Sequence, residues 1–288
     1  MSAEPQAGIL GDVPPAGRHL TFDLRSGADA KSALRSLRDM VPASSIVGLG
    51  PSLLRALGAD VPGLRVFPAL AGNGVQIPST QNALWVFIRE QSVSECFDIA
   101  RDIQAALGPD FVLDEEVGTF VYRGGHDLSG YEDGTENPRG DRARETAIVP
   151  SGPLAGSSFA ALQRWLHDLP RFATYQQLER DHLIGRSLET NDELPDAPVS
   201  AHVQRSAQES YDPPAFMLRR SMPWSEGGKH GLYFLAFGVD LDRYERVLRR
   251  MAGLDDGVVD GLFTFTRPLT GGYYWCPPVD GGKLALPI

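Results

Sequence analysis

Near the middle of the 288-residue chain lies one run that interrupts every regular pattern around it: Gly130-Tyr131-Glu132-Asp133-Gly134-Thr135-Glu136-Asn137-Pro138. An Asp-Gly step and an Asn-Pro step so close together cannot continue a helix or a central strand. The simplest interpretation is an Asp-Gly β-turn, and a calcium loop fits poorly because the alternating acidic ligands and the closing glutamate are missing. The chain therefore has to fold as two stretches that meet at a rigid turn rich in acids and amides.

The stretch before the turn alternates strand and helix patterns. The predicted elements are a strand at 17–24, a helix at 28–40, a short apolar segment at 45–50, a strand at 83–89, a helix at 92–107 and one or two strands within 111–123. Residues 1–16 are rich in Pro, Gly and Ala and are predicted to form an extended arm. The order strand, helix, strand, strand, helix, strand is typical of a ferredoxin-like unit.

A similar order follows the turn. The predicted elements are strands at 146–150 and 157–166, a helix at 172–185, an irregular stretch at 186–212, strands at 215–221 and 231–238, a helix at 241–251 and a strand pair within 262–275. The chain is therefore predicted to belong to the α+β class, with two ferredoxin-like domains at 1–140 and 141–288. Their sheets are expected to be antiparallel, with the helices packed on the outside.

Charge and composition limit the partners that the chain is expected to have. The net charge is -10 and the pI is about 5.1, so nucleic acid and anionic membrane surfaces are not expected partners. Cys96 and Cys276 lie far apart and outside any Cys-x-x-Cys or Cys/His spacing, which argues against a disulfide framework and a zinc site. The first residues lack a signal-peptide pattern, and no apolar run reaches the ~20 residues of a spanning helix. A cytoplasmic location is expected.

Candidate chemistry concentrates at one histidine and one pair of arginines. None of the six histidines has zinc-ligand spacing, no Gly-x-Ser-x-Gly elbow occurs, and most of the histidines are expected at the surface. His202 differs because small and apolar residues flank it in Val199-Ser200-Ala201-His202-Val203, as for a hydrogen-bonded core residue or a ligand. Arg219 and Arg220 end an apolar strand, so one of them must face inward or lie at its rim. An inward guanidinium needs an anion, for which Asp133 and a cofactor carboxylate are both candidates.

Three stretches together resemble the dye-decolourising peroxidases, and the bacterial B-type branch fits best. They are the turn at 130–138, Ala201-His202-Val203 and Arg219-Arg220-Ser221-Met222-Pro223. Further similar stretches are 76–81, 184–186, 231–234 and 265–273, so the resemblance covers most of the chain. The Gly-x-x-Asp-Gly motif alone is a weak signal, but its order and spacing relative to the histidine and the arginines are specific.

The resemblance implies that a b-type haem lies in the C-terminal domain. It implies His202 as the proximal iron ligand, Asp133 and Arg219 as the distal catalytic pair, and a catalytic position for Ser221, where many B-type members have Asn. Further residues implied to contact the haem are Thr135, Asn137, Arg186, Leu232, Phe234, Tyr244, Val247 and Met251. Arg219 is preferred because it places Ser221 two residues on, but the adjacent Arg220 leaves a shift of one residue open.

The function implied by the resemblance is that of a haem peroxidase. Such an enzyme uses hydrogen peroxide to oxidise dyes, phenolic and other aromatic reductants through a ferryl intermediate. The alternative is a haem-binding or haem-delivery protein whose peroxidase activity is incidental. A homo-oligomer is expected, and some B-type members are cargo of a protein nanocompartment through a C-terminal tail. Residues 279–288 follow Pro278 here, and their apolar part, Leu284-Ala285-Leu286-Pro287-Ile288, lies close to the domain, so a cargo role is the less favoured expectation.

Overall fold

The computed structural model describes residues 3–288, and strands form along the chain's apolar runs while helices form along its amphipathic runs. The strands are β1 (Ala16–Leu24), β2 (Ile46–Leu49), β3 (Leu70–Gly72), β4 (Val75–Ile77), β5 (Leu84–Glu90), β6 (Phe111–Phe120), β7 (Ser158–His167), β8 (Leu218–Arg219), β9 (Met222–Glu226), β10 (Lys229–Gly238), β11 (Thr266–Pro268), β12 (Gly272–Cys276), β13 (Val279–Asp280) and β14 (Lys283–Leu284). The helices are α1 (Ala7–Leu10), α2 (Ala30–Met40), α3 (Pro51–Leu57), α4 (Val93–Leu107), α5 (Asp141–Ala147), α6 (Leu169–Thr174), α7 (Gln177–Ile184), α8 (His202–Ser206) and α9 (Asp242–Met251).

Eight of these strands close into a barrel-like antiparallel sheet. Their order around the ring is β7, β12, β2, β5, β1, β6, β9, β10 and back to β7. The two halves of the chain meet at two narrow junctions, where Trp275 pairs with Leu49 and Thr119 pairs with Trp224. The predicted α+β class with antiparallel strands is therefore confirmed.

Each half of the chain contributes four neighbouring strands to the ring. The first half supplies β2, β5, β1 and β6, and the second half supplies β9, β10, β7 and β12. When the four strands of each set are numbered by their order along the chain, their order around the ring is second, third, first, fourth in both sets. All eight belong to one sheet, so the division into two ferredoxin-like domains at 1–140 and 141–288 stays a prediction.

The barrel interior is filled by a cluster of large side chains. Trp85, Phe87, Trp224 and Tyr233 are fully or almost fully buried in it. His19 stacks between Phe87 and Tyr233, with ring centroids 4.1 and 3.8 Å away. A second cluster joins the opposite faces of the strands to the helices, and α4 packs on β1, β5 and α2. The alternation of side chains along each strand separates the two clusters.

Several local predictions were wrong because tertiary packing decided between helix and strand. Residues 146–150 are not a strand, since Ala143, Thr146 and Ala147 bury one face of α5 instead. The helix predicted at 172–185 is two helices, because Gln176 and Glu179 form a capping box that starts α7.

The predicted arm at 1–16 is partly helical. Residues 1 and 2 lie outside the described part of the chain, and Ile9 of α1 is fully buried. The stretch 215–221 contains only the short strand β8, and the chain then starts β9 at Met222.

Two further results concern expectations drawn from composition. The expectation that most histidines lie at the surface is wrong, since His19 and His167 are buried and the other four are half-buried. Across residues 3–288, none of the helices is both long enough and apolar enough to cross a membrane.

Candidate active site

The central turn of the sequence is a tight loop that holds Asp133 by its backbone. The amide N–H of Asp133 donates to the carbonyl oxygen of Gly125 at 3.0 Å, and that of Asp127 donates to Tyr131 at 2.9 Å. Gly130 has a φ of 96°, a left-handed conformation that favours glycine. The turn predicted from the sequence therefore fixes the backbone of Asp133.

Asn137 ties this loop to strand β8. Its side-chain nitrogen donates to the carbonyl oxygen of Arg219 at 2.8 Å, and its side-chain oxygen accepts from the Arg219 N–H at 2.9 Å. The side-chain amide of Asn137 thus binds both the N–H and the carbonyl oxygen of Arg219. The clamp brings Asp133 and Arg219 together, with Oδ1 of Asp133 3.9 Å from Nη1 of Arg219.

His202 begins helix α8, and its ring is fixed by an aspartate that the sequence reasoning missed. Nδ1 of His202 lies 2.8 Å from Oδ2 of Asp260, whose side chain is 0 % exposed. The other carboxylate oxygen of Asp260 accepts the N–H of Leu262 at 2.8 Å. Within residues 3–288, Nε2 of His202 has no hydrogen-bond partner, so it is the nitrogen available to a ligand. Asp260 lies 58 residues away in sequence, and no local pattern pointed to it.

Three neighbouring cavities surround these residues. The central cavity has a volume of about 150 Å³, and the predicted residues that line it are Asp133, His202, Arg219, Leu232, Phe234, Tyr244, Val247 and Met251. The outer cleft has a volume of about 660 Å³, and its predicted residues are Asp133, Thr135, Asn137, Arg186, His202 and Arg219. The side cavity has a volume of about 700 Å³, and its predicted residues are Asp133, Asn137, Arg219 and Ser221. Every site residue predicted from the sequence therefore lines at least one of the three.

Asp133 and Arg219 stand where all three cavities meet. They line the central cavity, the outer cleft and the side cavity, and no other residue among 3–288 lines all three. Ser221 lines only the side cavity, where its hydroxyl accepts the N–H of Leu235 at 3.3 Å. His202 lines the central cavity and the outer cleft. The carboxylate–guanidinium pair is thus accessible from a side that does not pass His202.

The two adjacent arginines have different surroundings. Arg219 extends to the cavities, and its Nε is buried without a hydrogen-bond partner in the described chain. Arg220 is only 9 % exposed, and its guanidinium donates to the carbonyl oxygens of Gly11 at 2.8 Å and Leu10 at 3.2 Å. The one-residue ambiguity of the sequence is therefore resolved by geometry in favour of Arg219 as the partner of Asp133.

Arg186 lies in the outer cleft with its guanidinium already occupied. It pairs with Glu136 at 3.2 Å and with Glu193 at 2.5 Å, and it donates to the carbonyl oxygen of Asn191 at 2.9 Å. This residue closes one wall of the cleft, and its charge is shared with two carboxylates.

The pKa of Asp133 depends mainly on burial and on the charges of Arg219 and Asp127. Burial raises the pKa of Asp133, the guanidinium of Arg219 lowers it, and the negative charge of Asp127 raises it further. The net effect is a carboxyl group whose pKa lies above its ordinary value of 3.8. It can therefore exchange a proton at a less acidic pH than a solvated aspartate does.

A second acid–base pair, formed by the buried His167 and the half-buried Asp127 and absent from the sequence-based predictions, lines the same central cavity. Nε2 of His167 lies 3.0 Å from Oδ2 of Asp127, and Nδ1 of His167 lies 2.7 Å from the Thr266 hydroxyl. Burial alone would raise the pKa of Asp127, but the hydrogen bond and charge of His167 bring that pKa down to about 2. Asp127 is therefore a fixed negative charge beside Asp133.

Together these groups define a class of protein. A ring nitrogen free to bind a ligand, a carboxyl group poised for proton transfer and a guanidinium with an unused donor surround one cavity. General acid–base catalysis and stabilisation of developing negative charge are what cleavage of a peroxide bond requires. The fold and the site thus indicate an enzyme of the peroxidase class.

Comparison with known proteins identifies the family. The family described as Dyp-type peroxidase, C-terminal, matches residues 125–281. The dye-decolorizing peroxidase of Mycolicibacterium paratuberculosis is 31% identical over 96% of this chain and 84% of its own length. The dye-decolorizing peroxidase of Mycobacterium tuberculosis is 30% identical over 94% of this chain and 88% of its own length. The chain therefore belongs to the dye-decolourising peroxidase family, a family of peroxidase enzymes.

Solved structures agree with this assignment. The dye-decolorizing protein from V. cholerae has a TM-score of 0.86 and 28% identity, over 94% of this chain and 96% of that one. A variant of DypB from Rhodococcus jostii RHA1, solved in complex with heme, has a TM-score of 0.88 and 27% identity. That match covers 96% of this chain and 97% of the DypB chain.

Proposed function

We propose that this protein is a haem peroxidase that uses hydrogen peroxide to oxidise dyes, phenols and other aromatic donors. One observation carries the proposal. His202 presents a free Nε2 to the same cavity that Asp133 and Arg219 line. A DypB relative solved in complex with heme supports the same cofactor class for this chain.

The residues around the central cavity fit a b-type haem. Imidazole nitrogen is a common axial ligand of haem iron, and His202 is the histidine that would supply it. The walls formed by Leu232, Phe234 and Val247 are apolar, as a porphyrin ring requires. Arg219 has a buried donor without a partner in the described residues, which suits a propionate or a peroxide oxygen. The sequence has no Cys-x-x-Cys-His motif for covalent attachment.

Haem would supply an iron atom that binds peroxide and accepts the oxidising equivalents released when the O–O bond breaks. The chain's own residues move the proton. In its ionised form Asp133 takes the proton from one peroxide oxygen and returns it to the other, which leaves as water. Arg219 stabilises the negative charge that develops on the peroxide oxygens while the bond breaks, and the enclosed site strengthens this interaction.

The pair formed by His202 and Asp260 has a different role. The buried carboxylate accepts the Nδ1–H of His202 at 2.8 Å, which orients the ring and leaves Nε2 as the basic nitrogen. A carboxylate in this position makes the imidazole a stronger electron donor to the metal that it would bind. Asp260 therefore sets the direction and strength of the proposed axial ligand.

A haem carrier is the alternative function. A carrier needs an axial ligand and an apolar cavity, but it has no use for a carboxyl group of raised pKa beside a guanidinium with an unused donor. Both features are present at Asp133 and Arg219. They favour the enzyme over the carrier.

The experiment is an absorption spectrum of the purified haem-loaded protein before and after one equivalent of hydrogen peroxide. A peroxidase should change its spectrum within the mixing time and return to the ferric spectrum when an aromatic donor is added. A carrier should keep its ferric spectrum and release haem to apomyoglobin within minutes. The second result would refute the proposal.

We also propose that the chain consists of two ferredoxin-like domains. The matching order of four strands in each half supports treating 1–140 and 141–288 as ferredoxin-like units, with haem held by the second. His202, Arg219 and most of the apolar wall come from residues beyond 140. Asp133 comes from the first unit, so the site would lie at their junction.

A further inference from the structure

The side cavity is much larger than hydrogen peroxide needs. Its volume is about 700 Å³, within the ~300–1,000 Å³ that is typical of small-molecule sites. It adjoins Asp133 and Arg219, whereas His202 is not among its lining residues. A molecule in this cavity would reach the carboxylate–guanidinium pair from the side away from the proposed axial ligand.

The charge of this cavity differs from that of the whole protein. Three arginines line it, Arg139, Arg219 and Arg220, against two aspartates, Asp12 and Asp133. The whole chain has a net charge of -10. Arg139 is exposed and has no hydrogen bond or ion pair within the described part of the chain. The cavity is therefore a local positive region, and the exposed guanidinium of Arg139 is free to bind an anion.

Part of the remaining lining is apolar or aromatic, beside the polar side chains of His126, Asn137 and Ser221. Phe120 and Tyr122, both half-buried, and the exposed Val13 line the cavity together with Pro138 and Pro223. A ring can pack against such a surface, and an aromatic pair contributes beyond the area that it buries. Aromatic side chains beside the free guanidinium of Arg139 suit a ligand that joins a ring to a carboxylate.

One wall of the cavity is held in place by two arginines, the buried Arg220 and the half-buried Arg89. Leu10 and Val13 belong to this wall. Arg220 donates to the carbonyl oxygens of Leu10 and Gly11, and Arg89 donates to that of Asp12. A wall fixed before the ligand arrives loses little entropy on binding.

We propose that the side cavity is a binding site for a small phenolic carboxylate, held by Arg139 and the aromatic wall, which serves as a reducing substrate. The binding site is inferred from the cavity alone, whereas the role of its ligand as a reducing substrate rests on the proposed peroxidase function. Each bound phenol gives up one electron together with its phenolic proton, which Asp133 is placed to accept. Two phenols and one hydrogen peroxide yield two phenoxyl radicals and two waters.

The test measures binding to the resting haem-loaded protein without peroxide. Isothermal titration calorimetry compares 4-hydroxybenzoate with phenol and with acetate, which carry only the ring or only the charge. We expect 4-hydroxybenzoate to bind at least tenfold more tightly than either. Val13→Trp, which places a bulky side chain in the side cavity, should weaken its binding at least tenfold, and Arg139→Gln should weaken it about tenfold, as for a lost charge-assisted bond.

Arg142→Gln is the matched control. Arg142 is also an exposed arginine, but it lines the outer cleft and not the side cavity, so binding should stay within twofold of the wild type. If Val13→Trp does not fold, Tyr122→Ala, which removes an aromatic wall of the side cavity alone, takes its place with a several-fold loss expected.

Three results would overturn the inference: no binding of 4-hydroxybenzoate, equal binding of phenol, or a loss caused by Arg142→Gln instead of the side-cavity variants. Because peroxide is absent, a protein that binds the acid but never reacts with peroxide would refute the proposed function and leave this site standing.

Discussion

Nη1 of Arg219 lies 3.9 Å from Oδ1 of Asp133, which is too far for a hydrogen bond although both groups face the same cavity. The separation is held by Asn137, whose amide binds the backbone of Arg219 with both of its hydrogen-bonding groups. Nε of Arg219 also stays without a partner in the residues that the structure describes. The pair is thus kept open for a third group, which the proposed function identifies as peroxide.

The first prediction concerns how this pair divides its work. Asp133→Asn should slow the reaction with peroxide by ~10²–10⁴-fold, the range for general acid–base catalysis. Arg219→Leu should slow it at least as much, because water replaces a fixed charge poorly in an enclosed site. Arg220→Leu should keep its rate and instead lower the melting temperature, since Arg220 holds Leu10 and Gly11. Stopped-flow mixing with peroxide gives the rates, and a slow Arg220→Leu beside a normal Arg219→Leu would reverse the assignment.

The second prediction concerns pH. Asp133 must be ionised to accept a proton, and its pKa is raised above 3.8 by burial and by Asp127. The peroxide reaction should therefore weaken on the acid side with a midpoint above 3.8. Asp127→Asn removes a negative charge and should move that midpoint to lower pH, whereas Arg219→Leu removes a positive charge and should move it to higher pH. The profile is measured as the second-order rate constant against pH, and shifts of the opposite sign would contradict this electrostatic account.

The third prediction tests the axial ligand. His202→Ala should lose most of its haem or change its ferric spectrum, because His167, which also lines the central cavity, already uses its ring nitrogens on Asp127 and Thr266. Asp260→Asn should retain haem with a higher reduction potential, since the charge behind the ligand is lost. Haem content by pyridine haemochrome and a redox titration measure the two effects. His230→Ala is the control, as His230 lies outside the lining of the three cavities.

The fourth prediction identifies the type of haem. Acid–butanone extraction should move all haem into the organic phase, because both cysteines are buried free thiols and no attachment motif occurs. Haem that stays with the polypeptide would show a covalent bond and rule out haem b.

The fifth prediction concerns stability. The pKa of Asp127 is about 2 in the folded protein, against an ordinary 3.8, so its ionised form stabilises the fold. That contribution is complete above pH 3.8 and disappears as the pH falls toward 2. Asp127→Asn should therefore lower the free energy of unfolding at pH 7 by about 2 kcal/mol, and the loss should shrink at acid pH. Urea unfolding at several pH values measures it, with the exposed Asp102→Asn as a control that should change little.

Local sequence patterns predicted the order of most elements and the groups that carry the chemistry. Apolar alternation predicted β1, a continuous apolar run predicted β5, and helical spacing predicted α2 and α4, because these signals lie within one segment. The Asp-Gly turn around Asp133 and the pair Arg219-Arg220 could be read from neighbouring residues for the same reason.

Tertiary structure decided which groups meet. The side chains of His202 and Asp260 are 58 residues apart, and those of His167 and Asp127 are 40 apart, so neither pair leaves a local pattern. The sheet also decides which of Arg219 and Arg220 is the partner of Asp133. Strand β8 pairs Arg219 with Ala236, whereas the side chain of Arg220 turns toward residues 10–12.

The closure of the barrel depends on the same kind of contact. Leu49 meets Trp275 and Thr119 meets Trp224 across the two halves of the chain. Local propensity acts over a few residues, whereas these pairings depend on which buried surfaces fit together after the segments have formed. Most of the elements could therefore be predicted from the sequence, and the way in which they enclose the cavity could not.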